Sequence, residues 1–240
     1  MTPARIAELL APFLAAFGDS CNPGKASCSQ NACHSEEPRS GEEESVVLSP
    51  LQLQQISMYI DILQKWNAHI NLTAIRDEEE IVTRHFGESL FAARHLFPSV
   101  PVLTVADIGS GAGFPGIPMK IWAPEISLTL IESNHKKATF LREVARVLTL
   151  TDIDIQNTRA ESLAGSSFDV VTLRAVENFE AILPVAANLV APQGRLALLI
   201  GQPQLQSAKA LLPHSSWSEP ILIPASNARV LATATRTIER

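Results

Sequence analysis

From residue 102 onward, short apolar runs alternate with segments in which apolar residues recur every three or four positions. The short runs predict β-strands over 102–107, 127–131, 153–157, 168–173, 195–200, 218–223 and 230–238. The periodic segments predict helices near 116–122, 135–148, 177–190 and 203–212. A short connection joins the last two strands, so we expect them to pair antiparallel. The alternation predicts an α/β fold with a doubly wound, mostly parallel, seven-stranded Rossmann-like sheet that has one reversed edge strand.

The first 47 residues contain one helical pattern and one polar segment. Residues 4–17 are typical of a short amphipathic helix interrupted by Pro12, whereas residues 18–47 have almost no large apolar side chain and indicate a flexible, solvated insertion. All cysteines of the chain lie in this insertion, just before His34, at Cys21, Cys28 and Cys33. Their spacing lacks the compact pair that is typical of zinc sites. We therefore favour free thiols and expect no metal site, and the core has no cysteine nucleophile.

Two capping signals begin helices in the segment that precedes the sheet. Ser49 and Gln52 flank Pro50 in the pattern of a capping box, and Asp77 with Glu80 repeats the signal. Behind the first signal, helical spacing continues through Ile56, Tyr59, Ile60, Leu63, Trp66 and Ile70. The predicted organisation is an N-terminal helix (1–17), a flexible insertion (18–47), a helical subdomain (48–100) and a cofactor-binding α/β domain (101–240).

Composition restricts the compartment and the kind of partner. The chain has 240 residues, and its 46% apolar content is enough for a sizeable core. No apolar run is long enough to cross a bilayer, and the N-terminus lacks an export signal. We therefore expect a cytoplasmic protein that does not bind membranes. We also expect a monomer. The net charge is −6. Residues 21–46 contain five Glu together with Lys25 and Arg39 and so contribute −3, which leaves −3 for the rest of the chain. This balance argues against non-specific nucleic-acid binding, but not against RNA held by one basic face.

The strongest chemical signal is a glycine-rich turn directly after the first strand of the sheet. Asp107 ends that strand, and the turn that follows contains Gly109, Gly111, Gly113 and Gly116. Strand, glycine-rich turn and helix start are the parts of a nucleotide-type cofactor site at the carboxyl edge of a parallel sheet. Glu132 ends the next strand, where a carboxylate can accept both hydroxyls of an adenosine ribose. Because those hydroxyls are uncharged, Glu132 does not distinguish NAD from S-adenosylmethionine.

Later strand ends and several basic pairs supply further candidates. Ala160 and Glu161 follow the third strand, where a methyltransferase reads the adenine edge. Arg174 ends the fourth strand and faces the crevice, although a structural ion pair explains an arginine there equally well. One basic face would hold an RNA, and the candidates for it are Arg84, His85, Arg94, His95, Lys136, Lys137, Arg142 and Arg146. A solvated helix surface is the alternative for these charges.

Motifs that are missing restrict the chemistry of a methyl transfer. Methylation of an exocyclic base amine usually relies on an Asn/Asp-Pro-Pro-aromatic turn after the fourth strand, where this chain has Leu173, Arg174, Ala175 and Val176. Methylation at pyrimidine C5 needs a cysteine nucleophile. Guanine N7 needs neither, because its in-plane lone pair can attack a sulfonium methyl directly. Catalysis would then consist mostly of alignment, with Arg174 orienting cofactor and guanine and with no obligatory general base.

Several motifs between residues 48 and 202 form a specific combination. They are Lys65-Trp66-Asn67, Ile70–Ile75, Arg84-His85-Phe86, Ser89-Leu90, Asp107–Gly116, Lys136-Lys137, Phe140–Glu143 and Arg159–Glu161. This combination resembles the small-subunit rRNA guanine-N7 methyltransferases, the glucose-inhibited division protein B family. The resemblance implies a class I methyltransferase fold and S-adenosylmethionine as cofactor. It also implies methylation of N7 of a guanine in a hairpin loop of bacterial 16S rRNA, either free or in the small ribosomal subunit.

The resemblance also assigns site residues. It implies cofactor contacts at Gly109, Phe114, Ala160, Glu161 and Arg174, while Asp107, Gly111, Gly113 and Glu132 fit the wider methyltransferase pattern. RNA contacts are expected at Arg84, His85, Lys136, Lys137, Arg142 and Arg146. The chain departs from the family, which usually has Asp at the positions of Glu132 and Glu88, and often has Ser at Leu173 and Lys at Ile200. The insertion over 18–47 is a further departure.

Three other functions compete with this interpretation. A methyltransferase acting on a small molecule or a protein would need a lid over the crevice and no basic face. An NAD-dependent oxidoreductase is compatible with the loop, because residues 111–116 match Gly-x-Gly-x-x-Gly, but no obvious acid/base pair for hydride chemistry follows. A silent binding module has no support from the intact cofactor residues. The fold alone does not choose among these functions.

Overall fold

The computed structural model describes residues 1–15, 47–98 and 103–236. Its strands are β1 (Thr104–Ile108), β2 (Ser127–Ile131), β3 (Ile153–Gln156), β4 (Phe168–Arg174), β5 (Val190–Gly201), β6 (Ser216–Trp217), β7 (Ile221–Leu222) and β8 (Arg229–Thr235). They form one sheet in the order β3-β2-β1-β4-β5-β8-β6, with β7 also paired to β8. Strands β1 to β5 pair parallel, and β8 pairs antiparallel with β5, β6 and β7. The predicted α/β fold and the antiparallel pairing near the C-terminus are confirmed.

Two details of the sheet differ from the prediction. Only β7 lies in the strand predicted over 218–223, and the separate short strand β6 precedes this range, so the described residues form eight strands rather than seven. Pro220 lies between them, and a proline cannot donate to a strand ladder. The reversed strand is also not at the edge. It is β8, which lies between β5 and the two short strands because both of these pair with its outer side.

Helices cover both faces of the sheet. They are α1 (Pro3–Leu14), α2 (Pro50–Asn67), α3 (Glu78–Glu80), α4 (Glu88–Leu96), α5 (Gly116–Trp122), α6 (His135–Val147), α7 (Phe179–Asn188) and α8 (Gln202–Leu211). A π-helical stretch, Ile81–Gly87, joins α3 to α4, and a 3-10 turn covers Ala160–Leu163. The capping box at Ser49 is present. At Asp77 the side chain accepts from the Glu80 amide, which is one half of the predicted box.

Alternation along the strands divides the core into two apolar layers. Val105 and Val170 pack with α1, α2, α4, α5 and α6, which together with the π-helical stretch we call the helical layer. Ala106 and Val171 pack on the opposite face with α7 and α8. Because side chains of a strand alternate between its faces, Arg174, which has the same parity as Val170, lies on the face of the helical layer. This parity decides which side chains reach the functional site.

The N-terminal helices and the sheet share one continuous hydrophobic core. Ile6 of α1, Tyr59 of α2 and Val105 of β1 belong to one continuous cluster of buried residues. The predicted domain boundaries at residues 17, 47 and 100 fall in or beside ranges outside the described residues, so they stay predictions. Most of the predicted insertion, with Cys21, Cys28, Cys33 and His34, also lies outside the described residues. None of the helices in the described ranges has the length and apolar content that a bilayer span requires.

Candidate functional site

A cleft of about 540 Å³ lies at the carboxyl edge of the sheet, and we call it the edge cleft. Gly109 lines it after β1, Glu132 after β2, Ala160 and Glu161 after β3, and Ala175 after β4. The chain runs from β1 outward through β2 and β3, and from β4 outward in the other direction. Ligands of open α/β sheets bind at this kind of switch point, where loops from neighbouring strands diverge. The edge cleft is therefore the candidate binding site.

The carboxylate of Glu132 is held by backbone amides on both sides. Its Oε1 accepts a hydrogen bond from the Asn134 amide at 2.7 Å, and its Oε2 accepts one from the Gly111 amide at 2.9 Å. Asn157 fixes the same turn, because its side chain donates to the Glu132 carbonyl at 2.9 Å. Each carboxylate oxygen has a second lone pair, so the oriented group can still accept two hydroxyls.

The backbone approaches the edge cleft closely at Gly109. This residue has φ +68°, and a Cβ added to it would lie 2.7 Å from Val176 Cγ1. A larger residue would therefore both strain the turn and fill the space next to β4. Ala175 and Asn178, which line the same cleft, have φ of 50° and 51°, a conformation that non-glycine residues rarely adopt. Such strained positions cluster at binding sites.

Asp107 lies behind the turn rather than in the edge cleft. Its Oδ2 accepts a hydrogen bond from the Gly116 amide at 3.1 Å, and its Oδ1 accepts one from Thr172 Oγ1 at 2.9 Å. The carboxylate thereby joins the end of β1 to the start of α5 and to β4. Burial raises the pKa of Asp107 from 3.8 to about 6, against the effect of these hydrogen bonds. Asp107 shapes the turn and is not part of the lining of the edge cleft.

Phe114 is also directed away from the edge cleft. Its ring is stacked between Tyr59, at 5.3 Å between centroids, and His85, at 4.6 Å. The Tyr59 hydroxyl donates to the Ala112 carbonyl of the same turn. Burial raises the pKa of Tyr59 well above its usual value. The helical layer thus supports the glycine-rich turn from the face opposite the cleft.

Arg174 is buried against the helical layer. One of its Nη2 hydrogens reaches the Arg84 carbonyl at 2.7 Å, and Nη2 lies 3.2 Å from Glu88 Oε2. Burial lowers the pKa of Arg174 to about 10, and the neighbouring Glu88 opposes this change. Its neighbour along the chain, Ala175, lines the edge cleft, so Arg174 lies directly behind the wall of the cleft.

His85 contacts the same guanidinium. Arg174 Nη2 lies 3.0 Å from His85 Nδ1, and because a guanidinium only donates, Nδ1 must be the acceptor. The proton of the neutral ring is then on Nε2, which lies 2.8 Å from Thr73 Oγ1. Burial and the charges of Arg174 and Arg84 lower the pKa of His85 to about 3. His85 is therefore neutral at physiological pH, and its ring contacts both Phe114 and Arg174.

The structure divides the predicted cofactor residues into two groups. The edge cleft brings together Gly109, Glu132, Ala160 and Glu161, and Gly111 joins them through its hydrogen bond to Glu132. The other predicted residues lie behind the turn, toward the helical layer, namely Asp107, Gly113, Phe114 and Arg174.

The predicted RNA-binding residues are also divided. Lys137 lines the edge cleft, and Lys136, Arg142 and Arg146 lie on the same helix, α6. Arg146 is paired with Glu143 at 2.9 Å. The remaining two, Arg84 and His85, lie in the π-helical stretch and contact the end of β4. Helix α6 follows β2, which is on the other side of β1 from β4, so the two groups are on different parts of the sheet edge.

Sequence reasoning missed two charged residues beside Arg174. From the sequence, Glu88 is only a departure from the family pattern, and Arg229 is not a candidate. Both lie in ion pairs at the start of α4 and of β8. A signal for Glu88 was present, because it stands in a run of apolar residues that ends with Ala93, and a carboxylate on a buried face needs a partner.

Comparison with known proteins identifies the family. The family model described as rRNA small subunit methyltransferase G matches residues 52–218. The chain is 38% identical over 174 residues to ribosomal RNA small subunit methyltransferase G of Halorhodospira halophila, covering 72% of this chain and 81% of the relative. It is 41% identical over 157 residues to the protein of the same name from Xylella fastidiosa, covering 65% and 72%.

Solved structures support the fold independently. Magnesium protoporphyrin IX methyltransferase of Synechocystis, solved with bound S-adenosylmethionine, has a TM-score of 0.57 at 16% identity and covers 76% of this chain and 97% of that one. The ribosomal protein L11 methylase of Lactobacillus delbrueckii has a TM-score of 0.54 at 18% identity and covers 65% and 79%. These similarities establish a class I methyltransferase fold, and the sequence relatives establish more. The chain belongs to the rRNA small subunit methyltransferase G family.

Proposed function

We propose that the protein transfers a methyl group from S-adenosylmethionine to N7 of one guanine in a hairpin loop of bacterial 16S rRNA. The observation that carries the proposal is the edge cleft, in which the oriented carboxylate of Glu132 and the close backbone approach at Gly109 come together. Membership of the family supports rRNA as the substrate. The choice of N7 rests on the chemistry that the chain has and lacks.

The residues of the edge cleft fit S-adenosylmethionine. The cleft volume of about 540 Å³ is in the range of small-molecule sites. Glu132 would accept the ribose hydroxyls, Ala160 and Glu161 would meet the adenine, and the turn at Gly109 would contact the rest of the cofactor. When bound, the cofactor supplies an electrophilic methyl group on a positively charged sulfur.

Electrostatics in the edge cleft favour a cationic reacting centre. The lining contains three carboxylates and two basic side chains, which leaves a net charge of −1, from Glu132, Glu161, Glu177, Lys137 and Arg159. Positive charge moves from sulfur to the guanine ring during the transfer, so this environment stabilises the sulfonium before the transfer and the charged guanine after it. Guanine N7 has an in-plane lone pair and loses no proton. The chain therefore has to align the reactants and needs no general base.

The substrate is proposed to be held by basic residues on two sides of the cleft. Lys136, Lys137 and Arg142 of α6 are on one side, and Arg84 is on the other. Phosphate contacts from such residues position an RNA without reading its sequence. We propose that the protein acts in the cytoplasm as a monomer, on 16S rRNA either free or in the small ribosomal subunit.

The test is methyl transfer from radiolabelled S-adenosylmethionine to unmodified 30S particles, to free 16S rRNA and to a control without protein. The product is then treated with borohydride and aniline, which cut RNA at N7-methylguanine. We expect label in the RNA and a single site of cleavage. Label without cleavage would reject N7 as the acceptor. Cofactor binding with no label in any RNA would instead favour a small-molecule or protein acceptor.

A further inference from the structure

Three arginines surround one buried carboxylate beside the edge cleft. Glu88 Oε2 lies 2.9 Å from Arg229 Nη2 and 3.2 Å from Arg174 Nη2, and Glu88 Oε1 lies 3.5 Å from Arg84 Nε. Glu88 is only 2% exposed. We call these four residues the Glu88 cluster. They come from the start of α4, the start of β8, the end of β4 and the π-helical stretch, so the fold assembles them from distant parts of the chain.

The Glu88 cluster contains more hydrogen-bond donors than its carboxylate can use. Three guanidiniums carry many more N–H groups than one carboxylate has lone pairs. Arg174 Nη2 donates to the Arg84 carbonyl and to His85, whereas Arg174 Nε has no hydrogen-bond partner within the described residues. Arg84 is held on its outer side by Glu80 at 3.3 Å. For the Arg229 side chain, Glu88 is the one acidic partner within the described residues. The N–H groups of Arg229 that face away from Glu88 are therefore available to a ligand.

Arg229 lies at the same edge of the sheet as the edge cleft. It pairs with Gly201 at the carboxyl end of β5, and Arg174 pairs with Leu199 of the same strand. Both arginines consequently leave the sheet at its carboxyl edge, on the face of the helical layer. Arg229 has a side chain that is 25% exposed, whereas that of Arg174 is 6% exposed. The cluster thus presents a partly exposed guanidinium at the end of the sheet edge that is two strands away from β4, whose end forms a wall of the edge cleft.

We infer that Arg229 binds a phosphodiester of the RNA close to the methylated guanine, and that Glu88 is the positioning residue that holds Arg229 in place. A guanidinium makes paired hydrogen bonds to phosphate, and one that is already oriented loses little freedom on binding. The inference deepens the proposed function and rests on it. It places RNA backbone at the β8 side of the sheet edge, whereas the basic residues of α6 lie beyond β1.

The experiment compares Arg229→Gln with Arg236→Gln in methyl transfer to unmodified 30S particles and to free 16S rRNA. Arg236 follows the other end of β8, where it donates to the Val190 carbonyl at 2.7 Å, so its replacement removes the same charge far from the cleft. For each variant, KM for RNA, kcat, cofactor Kd and the salt dependence of RNA binding are measured. Thermal melting checks that each variant is folded.

For Arg229→Gln we expect KM for RNA to rise about tenfold. The slope of log Kd against log salt should fall by about 1, because one phosphate contact is lost. We expect kcat and cofactor Kd to change less than twofold, and Arg236→Gln to match the wild type. Glu88→Gln should raise KM with the slope unchanged, since it loosens Arg229 without removing its charge. A merely structural role for Arg229 would not change the salt slope.

The remaining outcomes separate the inference from the proposed function. An unchanged KM and salt slope for Arg229→Gln, with an active wild type, would overturn the inference alone. A higher cofactor Kd with an unchanged KM for RNA would also overturn it, because the anion at Arg229 would then be the carboxylate of the cofactor. An inactive wild type would instead reject the proposed function, and RNA binding would still test Arg229. If Arg229→Gln does not fold, Arg229→Lys is expected to keep the salt slope and raise KM, and an unchanged KM would refute the assignment.

Discussion

Replacement of Asp107 by asparagine should stabilise this protein above pH 6. Asp107 is fully buried, and burial raises its pKa from 3.8 to about 6. The folded protein therefore binds the Asp107 proton more tightly than the unfolded chain does, so ionisation of this group lowers the free energy of unfolding as the pH rises from 3.8 to 6. The difference between the two pKa values corresponds to about 3 kcal/mol. Above pH 6 the free energy of unfolding is lower by this full amount, and below pH 3.8 it is not lowered.

Asparagine can replace the hydrogen bonds of Asp107 without its charge. Its Oδ1 would accept from the Gly116 amide, as Asp107 Oδ2 does at 3.1 Å. Its Nδ2 would donate to Thr172 Oγ1, which now donates to Asp107 at 2.9 Å. The Thr172 hydroxyl can then turn to the Ala106 carbonyl, 3.4 Å away. No buried polar atom of this group would be left without a partner, so removal of the charge dominates the effect.

The assay is urea unfolding of the wild type and of Asp107→Asn between pH 4 and pH 8. We expect the variant to be more stable by about 3 kcal/mol at pH 7 to 8, with a difference that shrinks toward zero at pH 4. Asp169→Asn is the control for removal of one negative charge, because Asp169 is on the neighbouring strand and accepts two hydrogen bonds from Thr104 near the surface. A variant that is less stable than the wild type at pH 7, or a gain that persists at pH 4, would refute the reasoning.

Three further predictions follow from the site and from the packing of the helical layer. Glu132→Gln should raise the Kd for S-adenosylmethionine about tenfold in calorimetry, because an amide cannot accept from both neighbouring backbone N–H groups. The control is Glu125→Gln on the surface, which should leave this Kd unchanged. Nitrogen NMR of the His85 ring should show a neutral Nε2–H form down to pH 5, because its pKa is about 3, and a protonated ring at pH 5 would contradict the burial argument. Gly87→Ala should lower the free energy of unfolding by about 1–3 kcal/mol in denaturant melts, because the new methyl would lie 2.6 Å from the Phe13 ring; a neutral effect would mean that α1 packs loosely.

Strand order explains why part of the site could be predicted from the sequence. Parallel strands end at one edge, so residues that directly follow successive strands meet there wherever the loops lead. This rule places Gly109, Glu132 and Ala160 in one cleft without any knowledge of packing, and the structure brings them together. It does not specify the turn residues with unusual backbone, because an alanine such as Ala175 has no preference for the left-handed conformation.

Side-chain direction explains why the Glu88 cluster could not be predicted from the sequence. Arg174 also ends a strand, but its parity directs it to the face of the helical layer, with Val170 and Thr172. The alternation of buried residues along β4 contains this information, whereas the identity of the covering helix does not follow from it. Glu88 contacts Arg174 and Arg229 only because α4 begins at the carboxyl edge of the sheet. Contacts of this kind, between residues far apart in sequence, depend on tertiary packing, and no local pattern identifies the partner of Glu88.

The N-terminal motifs of the family signature lie behind the wall of the edge cleft. Asn67 holds the turn at Thr73 by accepting from the Thr73 amide at 3.1 Å and donating to its carbonyl at 3.0 Å. Because Arg174 donates to Nδ1 of His85, the ring proton is on Nε2, and Thr73 Oγ1 accepts from it. A protonated His85 could not accept this bond and would add a charge beside two arginines. The neutral ring therefore lets the buried Arg174 donate to His85 behind the cleft. Motifs far from the glycine-rich turn in sequence support the site through this contact and through the hydrogen bond of Tyr59 to the turn.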